Sequence, residues 1–141
     1  MAVHVDIVYQ GELRCVAKHG PSSGEITTDA PVDNHGRGEA FSPTDLVAAA
    51  LGSCMVTIMG IVAERGKLDI AGTQVHVEKH MQQQPVRRIG ELTVRIAIPK
   101  EKGARLTSED RLKLETAAKT CPVHKSLHPD IQIPLEFVYD A

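Results

Sequence analysis

The chain has 141 residues, of which 42% are apolar and 24% charged, with a formal net charge of −2 and no Trp. That length suits a single domain with a core of its own and excludes a mini-protein that needs a disulfide or metal staple. Charges of both signs are interleaved, with no basic run and no aromatic stacking platform, which excludes the usual nucleic-acid-binding surfaces. Aromatic residues are only 3%, so the core must be aliphatic.

Residues 3–9 alternate as a strand, and Gly11 breaks it. Residues 12–19 read as a second strand, with Leu13, Cys15 and Ala17 on one face and Arg14, Val16 and Lys18 on the other. A Gly-Pro-Ser-Ser-Gly turn leads to a short third strand at 25–29. Residues 30–40 are a loop broken by Pro31, Asn34, Gly36 and Gly38. The N-terminal third is thus expected to be a small antiparallel meander.

Ser42 at N-cap and Pro43 at N1 open a long helix over 42–66, with Asp45 in its first turn and Gly66 as its stop. Its residues 46–63 carry no charge, which just reaches membrane-spanning length. The stretch is rich in Ala, Gly, Ser and Thr and lacks an aromatic belt and one-sided basic flanks, so a buried core helix is expected and no membrane span.

Residues 73–81 and 89–98 alternate as an antiparallel strand pair around the polar loop QQQPVRR. Thr107 or Ser108 caps a further helix with a weak Thr107/Asp110 capping box, ending near Cys121-Pro122. A short turn at 123–127 and a final strand at 131–139 complete the chain. Strands and helices do not alternate, so the class is α+β. A helix without a polar face cannot be covered by a sheet on one side alone, and a second copy of the chain is the simplest cover, so an obligate homodimer is expected. The expected parts are N-terminal strands at 1–41, a central helix at 42–66 and a C-terminal part at 67–141.

Three widely spaced cysteines, Cys15, Cys54 and Cys121, do not form a disulfide framework. The opening MAVHVDIVYQG lacks the pattern of a signal peptide, so a reducing, cytoplasmic setting is expected. Cys54 lies in the apolar helix, where a thiol is a small hydrophobe, a ligand or a nucleophile. Cys121 stands either at a plain helix boundary or at the N-cap of a short helix opened by Pro122. In the second case backbone N–H groups, with His124 and Lys125 nearby, would lower its pKa. Cys121 and His124 have C-x-x-H spacing, but no second close pair completes a zinc set, and no metal is expected. His4, His19, His35, His76, His80 and His128 read as surface residues, and Cys15 as a core residue. There is no G-x-S-x-G elbow, Walker A loop or dinucleotide fingerprint, so no cofactor is expected.

FSPTDLVAAALGSC, followed sixty-seven residues after its Cys by AAKTCPVHKSL, resembles the OsmC/Ohr family of hydroperoxide-detoxifying proteins. The resemblance spans nearly the whole chain. It implies an intertwined homodimer and thiol-dependent reduction of organic hydroperoxides in an oxidative or osmotic stress response. In that reading Cys54 attacks the peroxide, Cys121 resolves it as a disulfide, and an external dithiol, in the family a lipoyl group, restores both. Family members carry an assisting Glu just after the Pro that opens the helix; here that position is Thr44, with Asp45 next door. Asp45 is nine residues from Cys54, about half a turn out of phase. Arg14 and Arg37 are the candidates for the assisting Arg, with Arg87 and Arg88 behind them. The chain is nearer the S-P-T members than the N-P-E members. The alternative is a non-catalytic dimer of the same fold that binds a small apolar or thiol-reactive ligand.

Overall fold

The computed structural model describes all 141 residues. The elements run β1 (Val5–Gly11), β2 (Arg14–His19), β3 (Glu25–Asp29), α1 (Pro43–Arg65), β4 (Gln74–Gln82), β5 (Arg88–Ala97), α2 (Lys100–Gly103), α3 (Ser108–Lys119), α4 (Pro122–Ser126) and β6 (Leu135–Val138). They form two three-stranded sheets, ordered β1-β2-β3 and β4-β5-β6, and one long helix, so the class is α+β as expected. Contacts divide the chain into two compact units, Met1–Val47 and Ala48–Ala141.

In the first unit both strand pairings are antiparallel. The β1–β2 turn uses Glu12 and Leu13, both at positive φ (52° and 65°), the handedness that matches the twist of paired strands. The strand expected from residue 12 therefore begins at Arg14. β1 is open to solvent along nearly its whole length, with Val5, Ile7, Val8 and Tyr9 all exposed.

In the second unit α1 buries the stripe Ala48, Leu51, Gly52, Met55, Met59 and Ala63, spaced as one helical face. A Cβ built on Gly52 would lie 2.9 Å from Val77 Cγ2 and 3.1 Å from Val75 Cγ1. The missing side chain is what lets the helix approach β4 so closely. The opposite arc, Ala49, Ala50, Ser53, Thr57 and Ile61, is exposed. By length and composition α1 could cross a membrane, with a window of mean hydropathy 2.2, yet only 33% of that window is buried within the chain. The rest of the core is Leu92, Val94, Ile96 and Ile98 from β5 and its end, with Leu114 and Ala118 from α3.

Two C-terminal features differ from the expectation. β6 starts at Leu135, four residues late; Pro134, without an N–H, interrupts a ladder that reaches back to Gln132 as an isolated bridge to Glu91. It joins β5 in parallel, an orientation the sequence leaves open. The four-residue α2 was not expected, since one turn shows no hydrophobic period. It fits because Gly103 lies where any Cβ would be 1.9 Å from the Tyr139 carbonyl oxygen. Tyr139 Oη donates to Glu115 at 2.5 Å, and Arg111 stacks 4.3 Å from the ring centre. α3 starts on the expected capping box: Thr107 accepts from Asp110 N–H at 3.1 Å, and Asp110 accepts from Thr107 N–H at 2.9 Å.

The Gly52 contact gives a test. Gly52→Val would force two β-branched neighbours apart and destabilise the protein by about 1–3 kcal/mol. The urea midpoint should fall with the m-value unchanged.

Candidate functional site

Two sulfurs meet in the second unit. On α1, Cys54 lies at the border between the buried stripe and the open arc, one residue from exposed Ser53 and one from buried Met55, and is itself partly exposed. Cys121 lies between α3 and α4 and is completely buried. It is the N-cap of α4, with extended backbone (φ −62°, ψ 142°) and Pro122 at N1, and its Sγ accepts from His124 N–H at 3.3 Å. The Cys54 side chain neighbours Cys121 closely enough to raise its pKa.

The N-cap reading of Cys121 is therefore the observed one, but the expected drop in its pKa is reversed. Burial pushes the Cys121 thiol up, the His124 and Val123 N–H groups offset only part of this, and the Cys54 sulfur adds to the rise. A five-residue helix brings two or three N–H groups, which do not replace the water removed from around a thiolate. At neutral pH Cys121 is held as a thiol that can donate its proton toward Cys54.

Arg14, Arg37 and Asp45 all lie in the first unit, each in a local contact. Arg14 forms a two-pronged pair with Asp29, Nε to Oδ1 at 2.7 Å and Nη2 to Oδ2 at 2.8 Å, directly across the β2–β3 ladder. The Asp29 side chain is 1% exposed and also accepts Glu39 N–H at 3.2 Å, tying the loop after β3 to the sheet. The Arg14 fork beside it holds the Asp29 carboxyl below the usual carboxylate range. Arg37 pairs with Glu12. Asp45 accepts Ser42 N–H at 2.9 Å while Ser42 Oγ accepts Asp45 N–H at 3.1 Å, a reciprocal cap on α1. Ser42 Oγ also lies 3.3 Å from Thr44 Oγ1.

Asp29 and Glu39 had no signal in the sequence, because strand register decides that Asp29 faces Arg14. Cys15 on β2, expected in the core, is partly exposed and is paired across strands with Tyr9 and Thr28. His76 and His80 lie on the solvent face of β4, as expected, on either side of Glu78. No three His, Cys, Asp or Glu side chains converge in a way that would hold a metal ion.

Two outcomes follow. Asp29 has a lowered folded-state pKa, so its pairing stabilises the fold above the unfolded value of about 4 and is lost as pH falls through the lower folded value. Asp29→Asn should thus be less stable than the parent near neutrality, with the gap closing on acidification in urea titrations. Iodoacetamide should alkylate Cys54 well before Cys121 in the native protein, read by peptide mass.

The family model described as OsmC-like protein matches residues 36–136. A candidate osmotic stress induced and detoxification response protein from Psychrobacter arcticus 273-4 shares 47% identity, covering 94% of this chain and 93% of its own, with a TM-score of 0.87. The organic hydroperoxide resistance protein OsmC from Legionella pneumophila has the same fold at 15% identity, with a TM-score of 0.74 over 98% of this chain and 97% of its own. A candidate organic hydroperoxide resistance protein from Vibrio cholerae, with captopril bound in one of its active sites, matches at 18% identity and a TM-score of 0.73 over 97% of this chain and 91% of its own. No curated protein sequence matches significantly. With its central apolar helix, its two sheets and a family match over most of its length, the chain belongs to the OsmC-like family.

Proposed function

We propose that the protein is a cytoplasmic thiol peroxidase that reduces organic hydroperoxides through Cys54 and Cys121, working as a single-domain homodimer. The observation that carries this reading is that a partly exposed thiol on α1 neighbours a buried thiol at the start of α4. Names borne by relatives support it: the Legionella pneumophila protein is called an organic hydroperoxide resistance protein. So does the Vibrio cholerae protein, whose bound captopril is itself a thiol.

The chemistry runs in three steps. The Cys54 sulfur, as thiolate, attacks one peroxide oxygen; the O–O bond breaks, an alcohol leaves with a proton, and Cys54 becomes a sulfenic acid. Cys121 attacks that sulfur, water leaves, and the Cys54–Cys121 disulfide forms. A dithiol, a lipoyl group by family resemblance, returns both sulfurs to thiols. Formation of the disulfide with a neighbouring thiol keeps Cys54 from further oxidation. Arg14, Arg37 and Asp45 are assigned work in this reading through the local contacts they make: Arg14 clamps the loop before α1, Arg37 holds the β1–β2 turn and Asp45 caps α1.

The homodimer rests on two uncovered apolar surfaces, one in each unit: the open arc of α1 and the exposed β1 side chains Val5, Ile7 and Tyr9. Surfaces of this kind mark association sites on soluble proteins.

One equivalent of cumene hydroperoxide should remove two thiols per chain and give a Cys54–Cys121 disulfide by peptide mapping. Cys54→Ser should abolish the reaction, and Cys121→Ser should stop at a sulfenic acid trapped by dimedone. Survival of both thiols in the parent would refute the peroxidase. Light scattering should show a dimer, and Ile61→Glu should shift it toward monomer.

A further inference from the structure

The two sulfurs are not equivalent to an outside reagent. Cys121 is completely buried within its own chain at the N-cap of α4, while Cys54 is partly exposed at the edge of the α1 arc. Association with a second copy adds cover and does not expose Cys121, so the inference requires that the dimer proposed above leave the edge of the arc at Cys54 open. The two sides also differ in what they offer a departing sulfur. Around Cys121 the N–H of His124 lies 3.3 Å from Sγ and the N–H of Val123 adds a second donor, both fixed by the N-cap conformation. Backbone donors already aimed at a sulfur stabilise negative charge on it without reorganisation. Cys54, mid-helix, has the N–H groups around it committed to the i→i−4 ladder of α1.

From this asymmetry we infer which sulfur of the disulfide the reductant attacks: a dithiol attacks Cys54, and Cys121 is the leaving group, received by the N–H groups of Val123 and His124. This rests on the redox pair proposed above. The dithiol first loses one proton to solvent. Its thiolate bonds to Cys54 Sγ, the S–S bond breaks, and the electron pair stays on Cys121, which then takes a proton from solvent. The second thiol of the dithiol, also deprotonated, attacks the mixed disulfide on its own first sulfur. A cyclic disulfide leaves, and Cys54 is released as thiolate. Two electrons pass from the dithiol to the protein; of the two protons the dithiol gives to solvent, Cys121 takes up one and the other stays in solvent while Cys54 remains a thiolate. The N-cap that looked like a device for activating Cys121 thus acts on the return half of the cycle.

The order matters for the partner. A reductant that must reach Cys54 needs a slim thiol-bearing arm entering at the edge of α1, and it need not unfold α4. If it attacked Cys121 instead, the α4 turn would have to open on every cycle.

The test uses the native protein oxidised with diamide, so that it does not depend on hydroperoxide turnover. The disulfide form is treated briefly with one equivalent of cysteamine, a monothiol with no second sulfur of its own to release the mixed disulfide, quenched in acid and mapped by mass. The expected product carries cysteamine on Cys54 with Cys121 as a free thiol. Cysteamine on Cys121, equal amounts on both, or a disulfide that persists unreacted would each overturn the inference while leaving the pair intact. Diamide that forms no Cys54–Cys121 disulfide would overturn the pair and the inference together. As a second reading, Cys121 in Cys54→Ser should resist dithionitrobenzoate in buffer and react in urea; rapid reaction in buffer would overturn the burial argument.

Discussion

A helix with five uncharged turns in its middle has to be kept from water on every side, and this constraint organises the protein. α1 meets it on one face with the stripe from Ala48 to Ala63, brought close to β4 at Gly52 where a side chain would collide with two valines. The other face of α1 finds no cover in its own unit. At roughly 25 cal/mol per Å2 of apolar surface, leaving such an arc wet forfeits several kcal/mol, a large part of a domain's net stability. A partner copy is the economical remedy, and it would make folding and assembly inseparable.

The same helix gives the chemistry its asymmetry. A residue on the border of a buried stripe is held rigidly from one side and reachable from the other. Cys54 has that position, and its neighbour Cys121 has the opposite one, sealed and capped. Removal of water keeps Cys121 protonated, and in the cycle proposed above access assigns exchange with outside molecules to Cys54. The charged residues near the start of α1 serve order instead. Asp29 draws Arg14 and the Glu39 amide together, and Asp45 and Ser42 satisfy each other's backbone N–H. A segment of thirteen residues with two glycines and a proline is thereby fixed at the point where α1 must begin.

Local signals in the sequence settled what local physics controls. Ser42-Pro43 and Gly66 bound α1, Thr107 with Asp110 starts α3, and the alternation of β4 and β5 places their faces, since caps and side-chain periods act within a few residues. The two cysteine motifs and their separation were enough to indicate the family. What only the tertiary structure decided are matters of register and solvent. That Arg14 faces Asp29 depends on the β2–β3 pairing, that β6 runs parallel to β5 depends on the path taken by α3 and α4, and that α2 exists depends on a bare Gly103 against Tyr139. Above all, helix-end electrostatics alone pointed to a lowered pKa for Cys121 and the folded protein raises it, because the loss of water around a buried sulfur outweighs two or three backbone N–H groups, and no sequence pattern records how deeply a helix start is buried.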